Sequence, residues 1–241
     1  MDNLDNLAET WVYLSASPLF HLTLTLVAFQ GASWLFEKGG RNPLLNPVLG
    51  AVIVVVAVLL VTGTDYATYF EGAQFVHFLL GPATVSLAVP LYRQWALVRR
   101  SALAVTVSLL CGSLTAILTA VGVAALAGGG EEVLASLAPK SVTAPVAMAI
   151  AEELGGVPSL TAVLVIVTGI LGAMLGPLVL TLVGVTGWSA RGLAIGTASH
   201  GIGTARALQV NETAGALAGL AMGLNALATA ILLPLIWGLL F

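Results

Sequence analysis

Long apolar stretches without a single Asp, Glu, Lys or Arg dominate the chain and set its predicted secondary structure. They cover residues 10–36, 42–64, 72–92, 101–130, 154–190 and 213–241. Each is long enough for a membrane-spanning helix, which needs roughly 20 residues. Residues 51–60 are apolar throughout and show no alternation with polar residues, which the strands of a spanning barrel would require. The pattern therefore predicts helices.

Proline and glycine separate the predicted helices into continuous and interrupted elements. Continuous helices are predicted over residues 18–36, 44–61, 101–127, 159–184 and 213–240. Residues 64–78 are predicted to form an interfacial segment. Interrupted elements are predicted over residues 79–92, 133–153 and 192–209. The predicted fold class is an all-α polytopic membrane protein with about seven or eight transmembrane segments, internal repeats and interrupted helices.

We expect one transmembrane domain over residues 1–241. It would contain an N-terminal helix pair over residues 18–61. Three repeat-like units, each a broken helix followed by a continuous one, would follow over residues 79–127, 136–184 and 193–240.

Scarcity of charge supports membrane insertion and limits the partners. Charged residues form 8% of the chain, against about 25% in soluble proteins. The net charge is −3 and no basic patch is present, so we expect no nucleic-acid partner. The positive-inside rule places two basic groups in cytoplasmic loops, namely Lys38 with Arg41, and Arg93 with Arg99 and Arg100. The acidic N-terminus lacks the basic start of a signal peptide, so the first predicted helix is expected to be retained.

The three interrupted elements share a local pattern. Each has a helix breaker next to two hydroxyl residues that are separated by one small residue. Ser141 follows Thr84 by 57 residues, and Thr197 follows Ser141 by 56. The hydroxyl pairs are Thr84 with Ser86, Ser141 with Thr143, and Thr197 with Ser199. The predicted helix-breaking residues are Pro82, Pro90, Pro139, Pro145, Gly196, Gly201 and Gly203.

Interrupted helices are typical of secondary transporters, because unwound backbone within the membrane offers amides and carbonyls to a substrate or ion. The six hydroxyl residues are therefore candidates for hydrogen bonds to a ligand. A structural alternative stays open, since Ser, Thr, Gly and Ala also let helices approach closely.

Four further polar residues are candidate substrate-binding residues, and each has a structural alternative. Lys140 and Arg206 can attract an anion, but Lys140 can also reach the membrane interface and Arg206 can pair with Glu212. His200 can bind a carboxylate or carry a coupling proton, or it can be a packed neutral histidine. Asn225, alone in the last apolar helix, needs partners and can cap an unwound segment.

Enzyme, metal and cofactor chemistry have no support in the sequence. The chain contains no H-E-x-x-H, P-loop or G-x-S-x-G motif. The one cysteine, Cys111, allows no disulfide within the chain. We expect a protein without enzymatic activity, cofactor or metal.

Several motifs together resemble the LrgB/CidB family. They are Leu80-Gly81-Pro82-Ala83-Thr84-Val85, Pro139-Lys140-Ser141-Val142-Thr143-Ala144-Pro145, Gly155-Gly156-Val157-Pro158-Ser159-Leu160 and Gly196-Thr197-Ala198-Ser199-His200-Gly201-Ile202-Gly203. The resemblance covers about residues 18–240. It implies a multi-pass protein of the bacterial inner membrane. Bacterial members are called antiholin-like and act beside a small LrgA/CidA-type partner, some are tied to pyruvate, and plastid relatives exchange glycolate and glycerate.

Residues and resemblance together favour a secondary transporter of small monocarboxylates such as glycolate, glycerate or pyruvate. A coupling proton or cation and a homodimer are expected with it. The alternative is an antiholin-like regulator of murein hydrolase activity and lysis that oligomerises with an LrgA/CidA-type protein. An ion channel is a third option.

Overall fold

The structure, a computed structural model, describes residues 17–42, 45–79, 82, 85–86 and 88–240. These residues fall into two compact units, Met1–Ser86 and Leu87–Phe241. Within the described ranges the regular secondary structure is helical and no strand is present.

The first unit contains three helices, α1 (Pro18–Lys38), α2 (Pro47–Thr62) and α3 (Tyr66–Phe78). The start of α2 is fixed by the side chain of Asn46, whose oxygen accepts hydrogen bonds from the amides of Val48 and Leu49 at 2.9 and 3.2 Å. Its end is fixed by Gly63, which adopts the left-handed conformation at φ +65°.

Helix α1 packs against both other helices of this unit. The hydroxyl groups of Thr25 and Tyr69 lie 2.9 Å apart and join α1 to α3. His21 is buried on the same face, with its ring edge-on to Tyr69. Gly72 allows this approach, because a Cβ at that position would clash with the backbone carbonyl of Pro18.

The second unit contains eight described helices that continue the numbering in chain order. They are α4 (Ala88–Arg93), α5 (Trp95–Arg100), α6 (Ala102–Leu126), α7 (Glu131–Leu137), α8 (Ala144–Glu153), α9 (Pro158–Leu182), α10 (Trp188–Val210) and α11 (Glu212–Leu240).

The basic group near residue 93 was predicted to lie in a loop, and this prediction is wrong. Arg93 ends α4, while Arg99 and Arg100 form the last turn of α5. Cations in a last helical turn interact favourably with the carbonyl end of the helix, which explains why they do not interrupt it. The guanidinium of Arg93 also lies 3.4 Å from the carboxylate of Glu212 at the start of α11.

Four described helices are long and apolar enough to cross a membrane, namely α1, α6, α9 and α11. Many of their large apolar side chains are exposed, such as Leu103 on α6, Leu178 on α9 and Leu235 on α11. Such an apolar surface is stable in contact with a lipid bilayer and unfavourable in contact with water. The protein is therefore an all-helical membrane protein, and the count of seven or eight crossings stays a prediction.

Helices α10 and α11 share the most extensive contact of any helix pair in the described part of the chain. Small residues make this possible, because Gly192 faces the backbone of Ala214 and Gly196 faces the backbone of Ala218. A side chain at either glycine would meet backbone atoms of α11. The two helices thus share a contact between their backbones, which is typical of small residues spaced four apart in membrane helices.

Arg191 connects the end of α9 to the start of α10. Its guanidinium donates hydrogen bonds to the carbonyl oxygens of Val185 at 2.8 Å and Pro177 at 2.9 Å. It also lies over the ring of Trp188, 5.7 Å from the centroid. One cation therefore satisfies carbonyls at a helix end that has no other basic residue in its last turn.

Candidate functional site

A break between α7 and α8 forms the first part of the site. Helix α7 ends at Leu137 and α8 begins at Ala144, and turns at residues 138–142 connect them. Pro139 is buried in this segment and Lys140 beside it is half-buried. Pro139 cannot donate a backbone hydrogen bond and Pro145 fits the first turn of α8, so the sequence favours a helix end followed by a helix start.

Thr143 precedes α8 and its hydroxyl makes no capping hydrogen bond to the helix. This position normally uses its side-chain oxygen for that purpose. Pro145 has no amide hydrogen, so the first turn of α8 has one backbone donor fewer that needs a capping partner. The Thr143 hydroxyl and the positive end of α8 follow Lys140 by three and four residues along the chain, and all three are groups that favour an anion.

A break inside α10 forms the second part of the site. His200 has φ +40° and ψ −135°, while the helix continues on both sides of it. A positive φ on a residue other than glycine costs about 1–3 kcal/mol, so the surrounding contacts must hold it in place. The carbonyl oxygen of His200 accepts a hydrogen bond of 2.8 Å from the hydroxyl of Thr204.

The imidazole of His200 is held by α9. Its Nε2 lies 2.9 Å from the carbonyl oxygen of Val165, and the residue is only 5% exposed. Because a carbonyl only accepts, Nε2 must carry the proton and donate. In the neutral ring Nδ1 is then the nitrogen with a lone pair.

Asn225 on α11 joins the two breaks. Its Nδ2 donates to the carbonyl oxygen of Thr197 at 3.0 Å and to that of Ser141 at 3.3 Å. These two acceptors fix the orientation of the amide, because the flipped amide would place oxygen against two oxygens. The Oδ1 atom is buried and has no hydrogen-bond partner, and the residue is 1% exposed.

Glycines on α9 make room for the polar side chains of α10. A Cβ at Gly169 would meet the imidazole of His200 at 2.6 Å, and one at Gly172 would clash with the hydroxyl of Ser199. Beside them, Val142, Ala147 and Val165 form a buried apolar cluster. The polar side chains are therefore closely surrounded by apolar atoms. In such surroundings of low dielectric constant, hydrogen bonds and electrostatic interactions are stronger than in water.

Five of the predicted site residues are buried in this unit: Ser141, Thr197, Ser199, His200 and Asn225. Hydrogen bonds connect three of them directly, since Asn225 contacts the backbone of Ser141 and Thr197. The hydroxyl of Thr197 is used within its own helix, where it donates to the carbonyl of Leu193 at 2.8 Å. Arg206 is half-buried six residues beyond His200 on α10.

Neither hydroxyl residue of the first interrupted element belongs to the described part of the second unit. Thr84 lies outside the described residues, and Pro82 and Ser86 are exposed residues of the first unit. Pro90 belongs to the short helix α4. The non-helical backbone of α10 falls at His200, and Gly196, Gly201 and Gly203 lie within the helix around it.

A family model that describes the LrgB-like family matches residues 25–239, which is nearly the whole chain and includes every residue of the two breaks. The chain belongs to the LrgB-like family.

Relatives of this LrgB-like chain share about a third of its residues. An uncharacterized protein YxaC of Bacillus subtilis is 36% identical over 89% of this chain and 93% of its own length. A holin-like protein CidB of Staphylococcus epidermidis is 33% identical over 93% of this chain and 96% of its own. A holin-like protein CidB of Staphylococcus aureus is 32% identical over 90% and 95%. No solved structure matches the chain.

Several contacts at the site of this LrgB-like protein were not predicted from the sequence. The carbonyl of Val165, the hydroxyl of Thr204 and the two glycines of α9 hold His200 and Ser199. One turn beyond Asn225 on α11, the hydroxyl of Thr229 lies 3.1 Å from that of Ser113 on α6. Thr204 follows His200 by four residues, which is the one signal the sequence offers, because such hydroxyls bond back along a helix.

A cleft of about 370 Å³ borders the α10 side of the site. It is lined by residues of α6, α10 and the end of α9, among them Ser108, Gly112, Leu193 and Thr197. The lining is mostly apolar, with Thr197 at the point where the cleft approaches the second break.

Proposed function

We propose that this protein is a secondary transporter of small organic monocarboxylates, and that it binds the anion at the two breaks. The observation that carries the proposal is the amide of Asn225, which holds a carbonyl from each break while its own oxygen stays buried and unpaired. Buried polar groups without partners are rare and expensive, and they concentrate at functional sites.

The charge of the ligand follows from the first break. Lys140 is half-buried, and no carboxylate in the described part of the chain lies within ion-pair distance of it. A cation in such a place needs a counter-charge, since moving an unpaired charge away from water is costly. A carboxylate between Lys140 and the start of α8 would supply that charge.

The lysis-regulator function is the second candidate, because relatives are named holin-like protein. It would act by oligomerisation in the membrane with an LrgA/CidA-type partner. This function needs no selective polar pocket, so it should tolerate substitution of the buried polar residues, whereas transport should not.

Uptake by purified protein in liposomes separates the two functions. We expect saturable uptake of labelled glycolate, glycerate, lactate or pyruvate, altered by an imposed pH gradient if a proton is the coupling ion. The variants Ser141→Ala and His200→Ala should lower this uptake at least about tenfold, because each removes a polar group of the site.

Thr115→Ala is the matched control for these variants. The hydroxyl of Thr115 is exposed on α6 and contacts only the carbonyl of Cys111 in its own helix. This variant should transport at the wild-type rate. Release of a large trapped dye, equal in wild type, Ser141→Ala and His200→Ala, would contradict transport and support the regulator.

We also propose a membrane location, an oligomeric state and a coupling ion for this activity. We place the protein in the bacterial inner membrane as a multi-pass homodimer that exchanges its substrate with a proton or cation. Cross-linking of the purified protein measures the dimer directly.

A further inference from the structure

The cleft of about 370 Å³ beside α10 opens to the surface of the second unit. Ala190, Ala194 and Ala198 line it, and all three are exposed. They follow one another at intervals of four residues, so they lie on one face of the helix. The distance they cover is about 12 Å, since a helix rises roughly 1.5 Å per residue. The cleft therefore runs lengthwise along α10.

An apolar group fits this cleft better than a polar one. Leu180, Val185 and Leu193 line it beside the alanines, and Ser108 and Thr197 are the polar residues of the lining. The hydroxyl of Thr197 already donates to the carbonyl of Leu193 within α10. A polar ligand group would find few partners here, which costs free energy. At the lipid-facing surface of a membrane protein, the apolar group in greatest supply is an acyl chain.

Arg191 lies at one end of the cleft. It follows the lining residue Ala190, and its Nη1 donates to the carbonyl oxygen of the lining residue Val185 at 2.8 Å. The other hydrogen bonds of its two Nη atoms go to the carbonyl of Pro177 and the hydroxyl of Thr181. All these partners are neutral. No carboxylate in the described part of the chain lies within ion-pair distance of the guanidinium, so its charge is not neutralised there.

Trp188 indicates the depth of this charge in the membrane. Its ring is exposed and lies 5.7 Å from the guanidinium of Arg191. An exposed tryptophan beside a cation at the start of a helix is typical of the membrane interface, where the lipid headgroups lie. Thr197 follows Arg191 by six residues, a distance of about 9 Å along the helix axis. The cleft thus leads from the depth of the headgroups toward the apolar layer.

We propose that this cleft binds one anionic phospholipid, with an acyl chain along α10 and the phosphate at Arg191. A negative charge joined to an apolar chain complements the guanidinium and the apolar lining together. An apolar helix of a second copy would fill the cleft but would leave Arg191 without an anion. This inference goes beyond the proposed function and does not depend on transport.

Lipids that differ only in the headgroup test the charge complementarity. The full chain in detergent is titrated with phosphatidylglycerol, phosphatidylcholine and diacylglycerol of identical acyl chains, and the rise in unfolding temperature reports binding. Because a cation at the membrane surface favours an anionic lipid, we expect phosphatidylglycerol to bind about fivefold more tightly than phosphatidylcholine. Diacylglycerol, which has no phosphate, should bind most weakly. Equal binding of the three lipids would overturn the inference.

Two variants separate the charge from the cleft. Arg191→Gln should lower the preference for phosphatidylglycerol over phosphatidylcholine to about one. Ala194→Phe places a ring in the cleft and should weaken binding of both at least about tenfold, because two or more buried methylene groups lose their contacts. Arg191 also holds carbonyls at the end of α9, so lipids are compared within each variant. Ala194→Phe leaves those contacts intact and tests the site even where Arg191→Gln does not fold.

Arg100→Gln and Ala125→Phe are the matched controls. Both residues are exposed, Arg100 at the end of α5 and Ala125 on α6, and neither lines the cleft. Both variants should bind the three lipids as the wild type does. Loss of the preference in Arg100→Gln would show an effect of overall charge and overturn the inference. Unchanged binding in Ala194→Phe would do the same.

A phosphatidylglycerol with a photoreactive diazirine on its acyl chain locates the bound chain. Adducts should concentrate on residues 108–116 and 190–198. Equal labelling of exposed residues on α11, such as Leu227 and Leu235, would show contact with bulk lipid only and contradict the site. A second copy in the cleft is detected with Ala194→Cys in a Cys111→Ser background. We expect no disulfide between copies, and its formation in membranes would assign the cleft to a dimer instead.

Discussion

At the residue scale, His200 is the residue at which the backbone of α10 departs from helical geometry. Its Cβ makes φ +40° unfavourable, so the conformation depends on the contacts around it. Those contacts are the carbonyl of Val165, the hydroxyl of Thr204 and the space left by Gly169. The conformation of His200 therefore depends on particular residues of α9 and α10.

Replacing His200 by glycine and by alanine measures this strain. Both variants lose the bond to Val165, so their difference reports the backbone alone. Glycine tolerates φ +40°, and we expect His200→Gly to be more stable than His200→Ala by about 1 kcal/mol. Unfolding in detergent is the measurement.

The order should reverse at an ordinary helical position of the same helix. Ala205 is exposed on α10 beyond the break, and Ala205→Gly should lose about 1 kcal/mol. A His200→Gly variant less stable than His200→Ala would show that the backbone at this position is not strained.

At the element scale, the contact between α10 and α11 fixes the position of the second break. Gly196 lies one residue before Thr197, and its backbone touches that of Ala218 on α11. This close approach brings Asn225, two turns further along α11, within hydrogen-bond distance of the Thr197 carbonyl. Helix packing and site geometry therefore depend on the same small residues.

The variant Gly196→Ala tests this dependence. The added methyl group would meet backbone atoms of Ala218, which cannot rotate away, so the helices must separate. We expect a loss of about 1–3 kcal/mol in stability, together with loss of uptake, measured in detergent and in liposomes.

Gly223 provides the matched control on α11. It is exposed and nothing lies within 4 Å of a Cβ built on it. Gly223→Ala should be neutral or more stable by about 0.4–1 kcal/mol, because alanine favours helix. Equal effects of the two substitutions would refute the role of the close contact.

The long apolar helices are the part of the fold that the sequence predicts well. Residues 101–127 and 213–240 were predicted as helices and are found as Ala102–Leu126 and Glu212–Leu240. An uninterrupted apolar run of such length has few alternatives in a membrane, so local composition is sufficient. Arg93 to Arg100 shows the limit, since charge there indicated a loop and the chain forms two short helices.

The candidate site could be predicted only in part. Ser141, Thr197, His200 and Asn225 were identified as polar residues in apolar surroundings, which is a local signal. Their partners were not, because the bonds from Asn225 join residues 84 and 28 positions apart. The break in α10 was predicted at its glycines, because glycine favours unwound backbone. The non-helical residue is instead His200, which tertiary contacts hold in place.

At the scale of the whole molecule, the direction of α6 sets the orientation of the second unit in the membrane. Its 25 residues give a length of about 37 Å, enough to cross the roughly 30 Å apolar layer. Arg93, Arg99 and Arg100 precede it, and its far end leads into Gly128 and Gly130. From the positive-inside rule we expect the start of α6 to face the cytoplasm.

Cysteine labelling in intact cells tests this orientation. Cys111 is exposed, so the background variant is Cys111→Ser. Ala96→Cys and Gly130→Cys introduce single thiols at exposed positions on either side of α6. A membrane-impermeant thiol reagent added outside should label Gly130→Cys and spare Ala96→Cys until the cells are opened. Labelling of both from outside would contradict the predicted crossing.

The backbone contact of α10 with α11 also limits how a ligand could enter. Thr197 and Asn225 sit on helices that cannot separate without breaking that contact, whereas Ser141 lies in a turn segment held to Asn225 by the longer of its two bonds, at 3.3 Å. Entry of substrate would therefore displace the α7–α8 connection. Spin labels spaced between α8 and α11 would record that movement, and labels spaced between α10 and α11 would keep a constant separation.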